Sequence, residues 1–384
     1  MKRIIVCVLL IGAMLSLFCV NASAEQYEYD MDDEPNIYNE LYSGVMTDDF
    51  ESSLSDTAKR FIYEYGISPE NPESFDELLG GEGLSAIWQT LKNYILSPIK
   101  TAAVLLTVIL LLSIISGFRQ DAQTGSSLAV QSFCSLACCV LILSPIAALI
   151  TDCANLLCCL SVFMSAVIPI YEGLLIAAAK AKTALGFQTS VFVATQAVSY
   201  IGTYIVSPFC SMFTALSIAG GVSGEKRIGS LAEMLKKAAM WTMSIAMTVY
   251  MAVFSIKNII SSTVDSAGGK TARFLISSFV PIVGNSVNEA LSSMKGCISV
   301  LCRSFGIYAV IIILCIILPV LVRLVFWRAM LSVCAAVSDM LGTENVSVMI
   351  KAMGGAVMIL TAVVICAGIM FIFSVTVLSH AAGG

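Results

Sequence analysis

Charged side chains and histidine are scarce in this sequence of 384 residues. Only 12% of the residues are Asp, Glu, Lys or Arg, and there is a single histidine, whereas a typical soluble domain carries about 25% charge. No Ser/His/Asp set, phosphate-binding loop, zinc motif or pair of intramembrane aspartates is present. The sequence therefore predicts no catalytic residue, no metal site and no cofactor. It also excludes a soluble enzyme and a nucleic-acid binder.

Apolar residues are in excess. Hydrophobic residues make up 58% of the chain, and its 26 glycines raise the apolar share to about 65%, against about 45 to 50% in soluble domains. A soluble core cannot bury so many apolar side chains without leaving large exposed patches. Lipid must therefore cover the remainder.

The cysteines are numerous, but their placement does not suit a disulfide framework. Of 14 cysteines, two lie in the first 24 residues, none lies in residues 25–94, and twelve lie between Cys134 and Cys366 in apolar surroundings. Structural disulfides would be expected in an exported segment. The doublets at 138–139 and 158–159 lack the C-x-x-C spacing or neighbouring His and Asp of a metal site. We expect unpaired packing residues.

The charges are segregated along the chain. Residues 25–94 carry 17 acidic and 3 basic side chains, whereas residues 95–384 carry 9 acidic and 16 basic ones. Basic residues favour the cytoplasmic face of a membrane. This pattern predicts an acidic exported segment at 25–94 followed by a multi-span membrane domain at 95–384.

The N-terminus has the features of a cleavable signal peptide at residues 1–24. Two basic residues precede an apolar run at 4–20, and Ala22 and Ala24 supply the small side chains that signal peptidase reads, so cleavage is predicted between Ala24 and Glu25. The alternative is an uncleaved signal anchor, which the 17-residue apolar run permits. An anchor would add one membrane span.

Two amphipathic stripes in the exported segment predict helices. The first stripe lies within residues 54–65, and the second includes Trp88, Leu91 and Tyr94. Trp88 and Tyr94 suit the membrane interface just before the first span. The stripes either pack on each other or form a docking helix for a partner.

Seven apolar stretches are long enough to cross a hydrocarbon core of about 30 Å, which needs about 20 helical residues. They lie near residues 99–117, 128–150, 153–170, 189–218, 238–256, 305–322 and 354–379. Gly202 and Pro208 interrupt the fourth. The predicted fold is an all-α, polytopic membrane helical bundle with its C-terminus in the cytoplasm.

Two segments between the spans carry polar residues. Residues 225–237 predict a basic helix in the membrane interface, either a linker or a docking site. Residues 274–300 predict a re-entrant or broken segment, because helix breakers at membrane depth require surrounding protein or water. The candidate intramembrane polar site in this segment comprises Pro281, Gly284, Asn285, Asn288 and Glu289.

The run from Lys270 to Ala290 resembles the stage III sporulation protein AE family of endospore-forming bacteria. Its most specific piece is Phe-Val-Pro-Ile-Val-Gly at 279–284, and Cys297 and the apolar span from Phe305 follow in the same order. The signal peptide, acidic segment and Trp88 helix extend the resemblance over the whole chain.

The resemblance implies a membrane component of the channel between mother cell and forespore. Its expected location is the mother-cell membrane surrounding the forespore, and its expected partners are ring-forming membrane proteins and a cytoplasmic ATPase. The family has no catalytic residues to carry over. The cysteine richness and the asparagines Asn285 and Asn288 depart from the family pattern.

A stand-alone secondary transporter is the alternative. Such a protein would place a substrate site among broken helices near the bilayer midplane, and inverted repeats would favour it. No convincing self-similarity joins the first three spans to the last three. The ionisable residues expected in or beside the spans are few: Glu172, Asp265, Glu289 and Asp339.

Overall fold

The computed structural model describes residues 98–111, 113–114, 126–177, 181–223, 226–279 and 284–383. The predicted signal cleavage at Ala22, Ala24 and Glu25 lies outside these residues. So do the predicted docking helix with Trp88, Leu91 and Tyr94, and Pro281. Apart from a turn at Leu341–Thr343, all described residues are helical, which confirms the all-α class.

The structure describes seven α-helices and one π-helix. In chain order they are α1 (Pro98–Leu111), α2 (Ser126–Ala177), α3 (Ala181–Tyr200), a π-helix (Ile201–Val206), α4 (Ser207–Ser223), α5 (Lys226–Phe279), α6 (Gly284–Met340) and α7 (Glu344–Gly383).

Four of the described helical stretches are long and apolar enough to cross a membrane. They are Leu136–Ile176, Thr189–Gly221, Ile298–Met340 and Val346–Ser379. The predicted span at 238–256 lies within α5 and is not among these four. The predicted count of seven is therefore not reached in the part of the chain that the structure describes.

The predicted spans 128–150 and 153–170 form a single helix, α2. The sequence predicts a break between them at Asp152, but a charged residue does not end a helix. The stretch between Pro145 and Pro169 contains neither proline nor glycine, the residues that most often interrupt one. The continuous helix follows from that lack of a breaker.

The interruption predicted at Gly202 and Pro208 is a π-helix rather than a split. Pro208 has no N–H to donate to a preceding carbonyl, and the Ser207 N–H bonds instead to the Gly202 carbonyl five residues earlier. The helical run continues from α3 into α4. Gly202 lies directly against Leu157 of α2, and the Ser199 hydroxyl donates to the Leu157 carbonyl at 2.8 Å.

Helix α7 occupies the centre of the bundle. It packs against α2, α4, α5 and α6, and 72% of the residues in its most apolar stretch are buried. A tight turn connects α6 to α7, with Gly342 at φ +73°, a conformation that glycine adopts without strain. The hydroxyls of Ser338 and Thr343 lie 2.7 Å apart across this turn.

The contacts of α7 fix the register of its neighbours. Helix α6 is antiparallel to α7, because Ser347 donates to the Ala335 carbonyl at 3.3 Å near the turn. At the far end of the pair, Ser379 donates to the Cys302 carbonyl at 3.3 Å. Helix α5 approaches α7 at Tyr250, whose hydroxyl donates to the Met370 carbonyl at 3.0 Å.

The outer faces of the helices are apolar. Large hydrophobic side chains remain exposed along the whole described length of the bundle, including Leu136, Val140, Tyr204, Trp241, Val249, Val300, Val333 and Met340. Exposed apolar surface on this scale requires lipid or partner protein to cover it.

Candidate functional site: charged and polar groups in the helix bundle

An ion pair joins α2 and α6 in the interior of both apolar helices. Arg323 donates to the carboxylate of Asp152, and the two side chains are 24% and 33% exposed. A charge in a membrane helix costs up to roughly 2.5 to 3.5 kcal/mol on insertion scales, the value for the helix centre. Pairing offsets part of that cost, because each charge neutralises the other.

The pair lies at mid-height on the central helix. On α6, Arg323 lies between Ile317, which contacts Gly368, and Arg328, which contacts Gly354. Since α6 and α7 are antiparallel, Arg323 lies level with the region of α7 halfway between these two glycines.

A second cation, Arg328, contacts the backbone of α7. Its Nη1 donates to the Gly354 carbonyl, and a methyl group on Gly354 would lie 3.3 Å from that nitrogen. The missing side chain therefore lets the guanidinium reach the helix backbone. The carbonyl satisfies only one of the five N–H donors of an arginine.

Lys236 of α5 approaches the next residue of α7. A methyl group on Gly355 would lie 3.6 Å from Lys236 Nζ and 3.2 Å from Phe213 of α4. Lys236 and Arg328 are both half-buried, and neither forms an ion pair among the described residues. In the described part of the bundle, two cations without a carboxylate partner thus lie at consecutive glycines.

The buried tyrosines bond to backbone and serine groups between helices. Tyr250 of α5 lies against Ser374 as well as the Met370 carbonyl. The Tyr171 hydroxyl lies 3.5 Å from the Cys302 carbonyl, and its ring meets Phe305 edge-on with centroids 5.4 Å apart. These bonds satisfy buried hydroxyls and fix helix contacts, so their role is structural.

Asp339 is a charged residue at the end of a helix. It is the penultimate residue of α6 and is 45% exposed, and Lys351 donates to it at 2.6 Å. The structure therefore places Asp339 at the end of a helix rather than at a buried site. Glu172 lies half-buried near the end of α2, and the Asp265 side chain is outside the described ones.

The polar site predicted around Glu289 is described only in its backbone. Helix α5 ends at Phe279 and α6 begins at Gly284, and residues 280–283 of the predicted broken segment lie outside the described residues. Asn285, Asn288 and Glu289 lie in the first two turns of α6. Their side chains lie outside the described ones, so a wet or protein-lined site there stays a prediction.

The structure describes ten cysteine side chains, and most of them are buried or half-buried among apolar side chains. No cluster of three His, Cys, Asp or Glu side chains suitable for a metal lies in the described part of the bundle. Their apolar surroundings suit packing as the role of these cysteines.

Sequence reasoning missed Asp152, Arg323, Arg328 and Lys236 as members of one region. Asp152 was assigned to a short gap between spans, and both arginines were assigned to a segment after the sixth span. A signal was available in the spacing. The distance in sequence from Asp152 to Glu172 equals that from Arg303 to Arg323, as expected for charges that bound neighbouring helices of equal apolar length.

The fold and its apolar faces define a polytopic α-helical membrane protein. The family model for stage III sporulation protein AE matches residues 76–382. The chain is also 22% identical to the stage III sporulation protein AE of Bacillus subtilis (strain 168), over 98% of this chain and 97% of the relative. No solved structure matches the chain. This protein belongs to the stage III sporulation protein AE family.

Proposed function

We propose that this protein is a structural or permease-like subunit of a transenvelope channel complex between mother cell and forespore, located in the mother-cell membrane that surrounds the forespore. The family match over residues 76–382 supports a role in sporulation. The lengths of the helices carry the assignment to a complex.

Two apolar helices are about twice as long as a bilayer is thick. The candidate spans in α2 and α6 contain 41 and 43 residues, or roughly 60 to 65 Å of helix. A hydrocarbon core of about 30 Å would cover that length only at a tilt of about 60°, beyond the usual 0 to 40° range. One bilayer therefore leaves part of their surface uncovered.

The surface that lipid leaves uncovered is apolar. On α2, exposed hydrophobic residues extend from Leu136 to Ile176, and on α6 they extend from Val300 to Met340. Such surface outside a bilayer requires protein partners. Ring-forming membrane proteins of the same complex are the proposed partners on this surface, with a cytoplasmic ATPase as a further member.

The centre of the bundle also favours a subunit of a larger channel. In the described part of the chain, α7 fills the axis around which α2, α4, α5 and α6 pack. A helix at the axis closes a single copy to solutes. A conduit is therefore expected between copies or between this subunit and its partners.

The Asp152–Arg323 pair favours the second candidate, a stand-alone secondary transporter. Ionisable pairs inside membrane helices often mark substrate or proton pathways. Reconstitution of the purified chain alone into liposomes separates the two functions, because a secondary transporter would catalyse flux driven by an ion gradient without any partner.

Deletion and affinity purification in the spore-forming host test the channel proposal. Deleting the coding sequence should reduce the yield of heat-resistant spores by orders of magnitude, and the wild-type sequence supplied elsewhere should restore it. A tagged copy purified from sporulating cells should retain other membrane proteins and an ATPase, and the same tag in non-sporulating cells is the control. Normal spore yield, or purification of the chain alone, would contradict the proposal.

A further inference from the structure

Three neighbouring helices contain charge-free stretches of equal length. These stretches lie between Asp152 and Glu172 on α2, between Lys237 and Lys257 on α5, and between Arg303 and Arg323 on α6. Each places its two bounding residues about 30 Å apart along a helix. That distance is the thickness of the hydrocarbon core of a typical bilayer.

Packing aligns the ends of these stretches on α2 and α6. At one end Asp152 pairs with Arg323. At the other end Tyr171, the residue before Glu172, lies against the carbonyl of Cys302, the residue before Arg303. The two stretches therefore occupy the same slab of the bundle.

Helix α5 lies in the same slab. Lys236 reaches Gly355 of α7, one residue from the glycine that Arg328 of α6 contacts. Further along, Tyr250 reaches Met370 of α7. The beginning of the charge-free stretch on α5 is thus level with Arg328, five residues beyond the Arg323 end of the stretch on α6.

At this edge of the slab the charges are unbalanced. Asp152 neutralises Arg323, but Lys236 and Arg328 have no carboxylate partner among the described residues. Arg328 keeps N–H donors beyond the one that meets the Gly354 carbonyl. Lys236 and Arg328 together offer a net positive charge where lipid headgroups are expected.

The outer face of α5 carries an exposed apolar stripe that enters the slab on the side of Lys237, four residues before Trp241. Trp241, Ile245, Val249 and Val253 recur every four residues and are all exposed, Trp241 at 72%. Residues four apart lie on one face of a helix, and tryptophan is enriched at the membrane interface. The stripe marks the lipid-facing side of α5, whereas Lys236 lies on the side that faces α7.

We propose that a bilayer surrounds these three stretches and that the phosphate of an anionic phospholipid binds Lys236 and Arg328 over Gly354 and Gly355. A guanidinium and an ammonium both donate to phosphate oxygens, and the two glycines leave room for the side chains to approach α7. Free phosphate shares this chemistry, but the two cations lie just outside the slab, at the level where headgroups are expected, and this position favours the lipid.

Native mass spectrometry of the full chain in mild detergent tests the proposal. With added phosphatidylglycerol, the wild type should retain bound lipid. Lys236→Gln and Arg328→Gln should each lower this retention about fivefold, the factor for a basic group near an anionic surface. The matched control is Lys237→Gln, which removes the same charge from an exposed neighbour and should change retention by about twofold or less.

Three results would overturn the proposal. They are equal losses in the Lys236 and Lys237 variants, equal retention of phosphatidylcholine by the wild type, and equal thermal stabilisation of the wild type by inorganic phosphate and by phosphatidylglycerol. Arg328→Gln also removes the bond to Gly354. If it unfolds the chain, Lys236→Gln still decides the question, because Lys236 makes no hydrogen bond in the described structure.

Discussion

The ion pairs in this bundle differ mainly in how far their side chains are exposed. The Asp152–Arg323 pair is about one quarter to one third exposed, whereas the Asp339–Lys351 pair is about half exposed. An exposed ion pair contributes little to stability, but removing one partner of a more buried pair leaves an uncompensated charge. The two pairs therefore provide an internal comparison.

We expect Asp152→Asn to destabilise the protein by about 1 to 3 kcal/mol, because Arg323 would keep its charge without a partner. The measurement is the midpoint of thermal unfolding in detergent, followed by the intact peak in size-exclusion chromatography. Asp339→Asn is the control and should change stability by about 0.5 kcal/mol or less. The double variant Asp152→Asn/Arg323→Gln should recover part of the loss. Equal effects of the two single variants would contradict this account.

The cysteine doublets give a second prediction at the level of residues. Cys138 and Cys139 are buried, whereas Cys158 is exposed on the outer face, and none of them is placed in a metal cluster by the described structure. Alanine at 138–139 and at 158–159 should leave spore yield largely unchanged, with the buried doublet showing the larger loss of thermal stability because it leaves a cavity. Loss of a bound metal together with spore yield would show a functional site instead.

Helices in this protein approach one another closely at glycines, because glycine has no side chain. A methyl group on Gly306 of α6 would lie 2.7 Å from the Ser379 hydroxyl and 3.0 Å from the Tyr171 hydroxyl, so α2, α6 and α7 meet there. Gly296 lies earlier on the same helix, and a methyl group there would meet nothing within 4 Å.

Gly306→Ala should therefore lower the thermal unfolding midpoint, because overpacking costs about 1 to 3 kcal/mol. Gly296→Ala should raise it or leave it unchanged, because alanine in a helix is favoured over glycine by about 1 kcal/mol. Both variants are measured in the same detergent, and Ser379→Ala combined with Gly306→Ala should recover part of the loss. An increase in both single variants would show that the three helices are not in contact at Gly306.

The helices were predictable from the sequence where neighbouring residues determine them. The helical class and the irregularity at Gly202 and Pro208 follow from apolar runs and from the missing N–H of proline. The break predicted at Asp152 was wrong, because a charged residue does not end a helix when its side chain forms an ion pair. That partner, Arg323, lies 171 residues away in sequence, beyond the reach of any local pattern.

The candidate site was not predictable from the sequence, because its residues also come from distant parts of the chain. Polar residues near helix breakers pointed to Glu289, whereas the described structure brings Asp152, Arg323, Arg328 and Lys236 to one level of the bundle. Their proximity depends on the antiparallel pairing of α6 with α7 and on the glycines at 354 and 355. Neither feature can be read from single segments.

Over the whole molecule, the position of the bilayer is the property to measure. The chain has three tryptophans, and a variant that keeps only Trp241 should be quenched best by lipids brominated near the headgroup, because Trp241 lies at the proposed edge of the slab. In a background with no other tryptophan, Val249→Trp should be quenched best by deeply brominated lipids. Met340→Trp should instead respond to aqueous iodide.

The control for this experiment is the same set of proteins in detergent micelles without brominated lipid, where the depth dependence should vanish. Val249 and Met340 are both exposed, so the comparison reports depth rather than burial within the protein. Equal quenching depths for Trp241 and Val249→Trp would contradict the proposed slab.

The central position of α7 has a consequence for biogenesis. Helices α2 to α6 all precede α7 in the chain, so each of its packing partners is synthesised and inserted before it. Until α7 arrives, those partners face an unfilled axis in the membrane, and the bundle cannot reach its final packing during translation. Each newly made copy would therefore pass through a loosely packed intermediate that quality-control proteases can cleave. Insertion of α7 would complete the packing and end this susceptibility.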